Sequence, residues 1–122
     1  MRRTFVQCAE LLLEPGADAA APGGAVTLAL CGSWDHAGAC RWPHETAAAW
    51  DERQGRLRVV FAAEAEDENH IRTLIEQALA GGECVGPDGK RSHWTVTEHS
   101  AGVLSESEEA LGSTIAESRG GV

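Results

Sequence analysis

The sequence of residues 56–80 is R-L-R-V-V-F-A-A-E-A-E-D-E-N-H-I-R-T-L-I-E-Q-A-L-A, and two hydrophobic periods follow each other within it. In the first part, apolar residues recur at every second position and predict a β-strand with one buried face: Leu57, Val59, Phe61 and Ala63. In the second part, they follow the i, i+3, i+4, i+7, i+8 spacing of a half-buried helix: Ile71, Leu74, Ile75, Ala78 and Leu79. A strand that leads into an amphipathic helix predicts a sheet covered by helices.

Both ends of this helix carry typical signals. Residues 66–68 are all acidic and lie in the first turn, where negative charge is favoured by the positive end of the helix dipole. Residues 81–82 are both glycine, a residue that commonly ends helices. We therefore predict a helix over residues 66–80.

The N-terminal third of the chain predicts a long antiparallel hairpin. Residues 4–13 predict a first strand. Residues 14–24 are Pro, Gly and Ala, apart from Glu14 and Asp18, and have no period, which predicts a mobile loop. Residues 25–34 alternate again and predict a second strand. Four of its residues share one face: Val26, Leu28, Leu30 and Trp34.

A second hairpin is predicted from residues 45–51 and 56–64, with the turn at residues 53–55. Residues 47–49 are alanines, and because Ala is the best helix former, one or two helical turns are the alternative for residues 45–51. We favour the strand.

The C-terminal part predicts a strand and a helix. A Pro-Asp-Gly turn at residues 87–89 precedes a strand over residues 92–99 with Trp94 and Val96 inward. Strict alternation would place His93 and His99 on one face of that strand.

The last predicted helix covers residues 105–117. Ser105 and Glu108 form a potential capping box at its start. Its inward residues should be Leu104, Leu111 and Ile115. Residues 119–122 are expected to fray.

These elements predict an α+β protein. With a length of 122 residues, we expect a single domain spanning residues 1–122. Its expected form is a two-layer sandwich, in which two helices cover one face of a mixed, mostly antiparallel sheet of about five strands. The edge strands of such a sheet offer a route to a homodimer.

The charge of the chain argues against two classes of partner. Nineteen acidic residues face ten basic ones, which gives a net charge of −9. An acidic chain without a basic stripe is not expected to bind nucleic acid or an anionic membrane surface. Acidic residues at positions 10 and 14 interrupt the apolar N-terminal run, so we expect no signal peptide and a cytoplasmic location with reduced thiols.

Residues 30–50, L-C-G-S-W-D-H-A-G-A-C-R-W-P-H-E-T-A-A-A-W, concentrate the residues that carry chemistry, and we place the functional surface at residues 31–44. Thiolate and imidazole groups are the ligands that zinc prefers in tetrahedral sites. They predict a structural zinc or related transition-metal site with the ligands Cys31, His36, Cys40 and His44. The spacing C-x4-H-x3-C-x3-H matches no standard zinc motif.

Three alternatives remain for the same segment. The first is a metal-free module that binds a small molecule or a protein through Arg41, Trp42 and His44, since aromatic residues are enriched in recognition surfaces. The second is packed structure: Cys31 is buried on its strand, as free cysteines often are, and Cys40 and the two histidines lie in a polar loop packed by Trp34 and Trp42. The third alternative is an enzyme with a Cys31 or Cys40 thiolate and a histidine base. Because no catalytic motif is present, we assign no catalytic residue and do not expect an enzyme.

Overall fold

The computed structural model describes residues 3–31 and 42–111 of the chain. Within these ranges the chain forms five strands and two long helices, in this order: β1 (Arg3–Leu13), α1 (Ala21–Cys31), β2 (His44–Asp51), β3 (Gln54–Ala63), α2 (Glu68–Ala80), β4 (Glu83–Val85) and β5 (Arg91–Ala101). A 3-10 turn, Ala65–Asp67, precedes α2, and residues 106–111 are also helical. No helix in these ranges is long and apolar enough to cross a membrane.

The five strands form one sheet in the order β2-β3-β1-β5-β4. The predicted α+β class is confirmed, but the expected mixed sheet is wrong, because every neighbouring pair of described strands is antiparallel. The helices connect strands that are not neighbours. α1 connects β1 to β2, with β3 between them. α2 connects β3 through the short strand β4 to β5, with β1 between β3 and β5. Two split β-α-β units are therefore interleaved, as in the ferredoxin-like arrangement.

One side of the sheet, the helix side, forms the core together with both helices. On β3 the predicted core face is confirmed, since Leu57, Val59 and Phe61 all belong to one buried cluster. The prediction of a single buried face is wrong, because Val60 and Ala62 on the other face are buried as well. The predicted stripe of α2 joins the same cluster, with Ile71 and Ile75 fully buried. The opposite side of the sheet, the far side, carries the other residues of each strand.

The prediction of a second strand over residues 25–34 is wrong, because α1 occupies residues 21–31. The predicted loop over 14–24 therefore ends at residue 20, and the N-terminal hairpin does not form. Val26 and Leu30 are buried four residues apart, a spacing that a helix and a strand both place on one face. Trp34 lies outside the described residues.

The sequence contains a start signal for α1 that this prediction overlooked. Pro22 lies in the first turn, where a helix tolerates the missing N–H group. The Asp18 carboxylate accepts a hydrogen bond from the Ala20 N–H at 2.9 Å and so orders the residues before the helix. The helix was not predicted for two reasons. Its first turns contain two glycines, and its apolar residues lie on all sides and not in a single stripe.

The second hairpin is confirmed, with residues 45–51 in β2, but its turn lies at residues 52–53 and not at 53–55, because β3 already begins at Gln54. Glu52 in that turn has a φ of 56°. Trp50 lies across Gly55 on the neighbouring strand, so that a Cβ at Gly55 would overlap the indole ring. The short strand β4 was not predicted.

A β-bulge corrects the prediction for the histidines of β5. Val96 pairs with Leu11, but Glu98 pairs with Glu10, so Thr97 is an extra residue in the ladder. Residues on either side of the bulge therefore have opposite alternation. As a result, His93 and His99 lie on opposite faces of the sheet. His99 is on the helix side together with Ala9, its partner on β1, and His93 is on the far side.

The predicted capping box is confirmed. The Ser105 Oγ accepts from the Glu108 N–H at 3.2 Å, and the Glu108 carboxylate accepts from the Ser105 N–H at 2.9 Å. Leu104 is half-buried, whereas Leu111 is 36% exposed, so its predicted inward position is wrong. Ile115 and the predicted frayed end lie outside the described residues.

Candidate functional site

The structure describes only the two ends of the predicted metal-binding segment. Cys31 is the last residue of α1, and His44 is the first residue of β2. His36, Cys40 and Arg41 lie outside the described residues. Within residues 3–31 and 42–111, no group of three or more His, Cys, Asp or Glu side chains is arranged to hold a metal ion.

A cleft of about 560 Å³ lies between α1 and β2, beside His44. Its wall on one side is the N-terminal half of α1, and its floor on the other is the helix side of β2 and β3. The residues that matter for its chemistry are Gly23, Thr27, His44, Thr46 and Leu57. Glu45 also lines the cleft, but it pairs with Val60, and its side chain therefore belongs to the far side of the sheet. Among the described lining residues there is no Lys or Arg.

The backbone holds the His44 imidazole in a defined orientation. Its Nδ1 lies 3.2 Å from the Trp42 carbonyl oxygen, which can only accept a hydrogen bond. Nδ1 must therefore carry the proton, and in the neutral ring Nε2 carries the lone pair. Nε2 lies 3.5 Å from the Thr27 Oγ1 on α1. Cys31 comes one helical turn after Thr27, so the predicted ligand positions 31 and 44 belong to neighbouring parts of the fold.

Thr46 contributes a buried hydroxyl group that sequence analysis did not single out. Its Oγ1 is shielded from solvent and has no hydrogen-bond partner in the described structure. A buried hydroxyl without a partner costs about 1–3 kcal/mol. The sequence could have singled out Thr46. It lies four residues before Trp50 in a predicted strand, on the same face, and is therefore a polar residue on the apolar face of that strand.

Trp42, predicted as a binding residue, packs against the protein itself. It is half-buried and belongs to the edge of the core cluster. Its indole meets the His70 ring edge-to-face, with 5.3 Å between the ring centroids. This contact connects the start of β2 to the first turns of α2 and limits how far Trp42 can serve as an exposed recognition residue.

A second, smaller cleft of about 350 Å³ lies on the far side of the sheet. Glu10 and Glu98 are direct cross-strand partners there. The Arg56 guanidinium hydrogen-bonds Glu10 at 2.9 Å and lowers its pKa, whereas the hydrogen bond with Glu10 raises the pKa of Glu98. Arg56 therefore favours ionisation of Glu10 over ionisation of Glu98.

The remaining described cysteines lie away from the α1–β2 cleft. The Cys8 Sγ is on the far side, 3.4 Å from Nη1 of Arg58. Cys84 lies on β4, and burial raises the pKa of its thiol. A buried thiol with a raised pKa is a poor nucleophile and a poor metal ligand at neutral pH. Neither residue can contribute to a site at His44.

No family model, curated protein or solved structure matches this chain. The function must therefore be inferred from the chemistry of the α1–β2 cleft.

Proposed function

We propose that this protein is a binding module that holds a small polar molecule in the α1–β2 cleft, without a metal. The observation that carries this proposal is the Thr46 hydroxyl, which is buried beside a cleft of about 560 Å³ and has no partner within the described residues. A small movement of the cleft wall would let a hydrogen-bonding group of a bound molecule reach this hydroxyl and remove its desolvation cost. Sites for small molecules typically combine an apolar wall with a few placed polar groups.

The polar groups of the cleft favour a neutral or cationic ligand over an anion. The Thr27 hydroxyl donates to the Gly23 carbonyl oxygen at 3.2 Å, so towards the cleft it can only accept. In the neutral His44 ring, the lone pair of Nε2 is a second acceptor. Acceptors without a lining Lys or Arg suit ligands rich in O–H or N–H donors, such as polyols and amines. Phosphates and carboxylates would find no Lys or Arg to pair with among the described lining residues.

Ligand-observed NMR tests this proposal directly. The purified protein is screened against neutral polyols, primary amines, carboxylates and phosphate esters, and hits are expected in the first two groups. Thr46→Val should abolish these hits because it keeps the side-chain shape and removes the hydroxyl. Thr95→Val, the same change at an exposed position on β5, should retain the hits. Equal binding by wild type and Thr46→Val would exclude the hydroxyl as the recognition group.

A zinc or related transition-metal site with Cys31, His36, Cys40 and His44 is the second candidate. It is supported by the His44 tautomer, because a backbone carbonyl that fixes Nδ1–H leaves Nε2 as the metal-binding atom. With four protein ligands such a site would be structural.

Tryptophan fluorescence separates the two candidates. If zinc is bound, a strong chelator should change the emission of Trp42, and excess zinc should restore it. Cys40→Ser should abolish this response, and Cys84→Ser should leave it intact, because Cys84 lies on β4. Thr46→Val should not affect the zinc response. A protein without metal, and without any response to chelator or zinc, would exclude the zinc site and leave the metal-free module.

We also propose a cytoplasmic location. The described thiols Cys8 and Cys84 are not joined in a disulfide, which suits a reducing compartment.

A further inference from the structure

We propose that strand β2 pairs antiparallel with β2 of a second copy of this chain, so that two sheets join into one across a two-fold axis. β2 lies at one edge of the described sheet, and β4 lies at the other. The two edges differ in how well they are protected against pairing, and the difference points to β2 as an interface.

The β4 edge carries one feature by which proteins avoid edge-to-edge contact. It is only three residues long, and short length discourages strand pairing. The loop after β4 contains Pro87, but Pro43 directly precedes β2, so flanking prolines do not distinguish the two edges. β2 itself is eight residues long, pairs with β3 without a bulge, and contains neither proline nor lysine.

The middle of β2 is also open to approach. Ala47, Ala48 and Ala49 are all exposed, although Ala48 is on the helix side of the sheet. Small side chains at this position let another backbone come within hydrogen-bonding distance. Every second N–H and C=O group of an edge strand points away from its neighbour and needs a partner or water.

The sequence of β2 selects one register for a symmetric pair. Two registers use nearly the whole strand and keep the helix sides of both copies together, with the axis at Ala47 or at Ala48. An axis at Ala48 places Glu45 opposite Asp51 of the other copy, and like charges directly opposite each other are destabilising. An axis at Ala47 places Glu45 opposite Ala49 and avoids this repulsion. We infer the axis at Ala47.

This register brings the second copy to the α1–β2 cleft. His44 would face Trp50 of the other copy, with Cβ atoms about 4.5–5.5 Å apart as in any directly opposed pair. Thr46 would face Ala48 of the other copy. Both clefts would lie on the same side of the joined sheet and share a floor. Pairing does not require the bound molecule proposed above, so its test is independent of that proposal.

A matched pair of lysine variants tests both the dimer and its register. Ala47→Lys and Ala49→Lys introduce the same charge on the same exposed far-side face of β2. At the inferred axis, residue 47 faces residue 47 of the other copy, so Ala47→Lys should weaken dimerisation by about two- to fivefold. Residue 49 faces Glu45 of the other copy, so Ala49→Lys should leave dimerisation unchanged or strengthen it. Val85→Lys, on the opposite edge, should have no effect.

Sedimentation velocity and light scattering over a concentration series supply the measurement. Wild type should move from one chain of 12.9 kDa to twice that mass as concentration rises. A wild type that remains monomeric throughout would overturn the proposal. Equal weakening by both β2 lysines would overturn the register, and weakening by Val85→Lys alone would move the interface to β4. Circular dichroism of each variant confirms that it is folded.

Cysteine cross-linking gives a second measurement of the register. In the inferred pair, Ala47→Cys brings two thiols across the axis at Cα distances of about 4.5–5.5 Å, within the range for a disulfide. It should give a covalent dimer on a non-reducing gel beyond the level of wild type. In Ala49→Cys the two thiols would lie apart along the strands, and this variant should not give a covalent dimer. Cross-linking by Ala49→Cys alone would contradict the axis at Ala47.

Discussion

The ion pair between Arg58 and Glu108 should be worth a measurable part of the folding free energy, and Glu108→Gln is the change that reveals it. The Arg58 guanidinium donates to both carboxylate oxygens of Glu108, at 2.6 and 2.7 Å. It also donates to the Val103 carbonyl oxygen at 2.8 Å. One side chain on β3 therefore holds the segment after β5 against the far side of the sheet.

The magnitude follows from the pKa of the carboxyl group. Hydrogen bonds from Arg58, and then from the Ser105 N–H, lower the pKa of Glu108 from 4.5 to about 2. A shift of that size corresponds to at most about 3 kcal/mol. The Arg58 side chain is 32% exposed, so solvent screens part of this energy. We expect Glu108→Gln to lower the free energy of unfolding by about 1–2 kcal/mol at pH 7.

The pH dependence gives the sign of the effect. Because folding lowers this pKa, the ion pair stabilises the protein fully above pH 4.5, and the stabilisation is lost as the pH falls towards 2. Urea unfolding of wild type and Glu108→Gln should therefore differ at pH 7 and converge near pH 2. Glu109→Gln, an exposed acid on the same helical turn, is the control and should match wild type. A Glu108→Gln variant as stable as wild type at pH 7 would refute the reasoning.

Four further outcomes are expected. Thr46→Val should raise the free energy of unfolding by about 1 kcal/mol in urea, because it removes a buried hydroxyl without a partner in the described structure; a loss would indicate a hidden partner. Ile75→Ala should lower the free energy of unfolding by about 2–5 kcal/mol, and Leu74→Ala should lower it less because Leu74 is half-buried. A decrease below about 1 kcal/mol for Ile75→Ala would contradict the position of Ile75 in the core. Gly55→Ala should displace the Trp50 ring and shift its emission maximum, whereas an unchanged spectrum would contradict their contact. Gel shifts should show no micromolar, salt-dependent binding to DNA or RNA, since the net charge is −9.

The sequence predicted best those elements in which only one period was present. The stripe of α2 has no strand-like alternative, and its acidic start and double glycine end agree with the structure to within two residues. β3 alternates over seven residues between turn signals and was equally clear. α1 was missed because Val26 and Leu30 satisfy both periods, and two glycines suggested a loop. The local pattern alone could not decide between a helix and a strand, because the packing of α1 against α2 is a tertiary effect.

The candidate site was predicted in part. The sequence indicated the region, because His44 and Cys31 do lie at the junction of β2 and α1. It did not indicate the cleft, because that requires the pairing of β2 with β3 and the position of α1 above them. Trp42 was predicted as a contact residue, whereas its approach to His70 depends on α2, which follows 26 or more residues later in the chain. Thr46 could have been singled out from the sequence, because it is a polar residue on the apolar face of a predicted strand.

The bulge at Thr97 decides which face of the sheet each later residue of β5 occupies. If Thr97 stayed in the chain but the bulge were straightened, Thr97 would pair with Glu10, and the Glu98 carboxylate would turn towards the helices. Deletion of Thr97 would instead give a regular ladder and leave Glu98 opposite Glu10 on the far side. An inserted residue between the bulge and Ala101 would reverse the facing of every later residue. Loops of this protein can vary in length during evolution, but the second half of β5 can change only by two residues at a time.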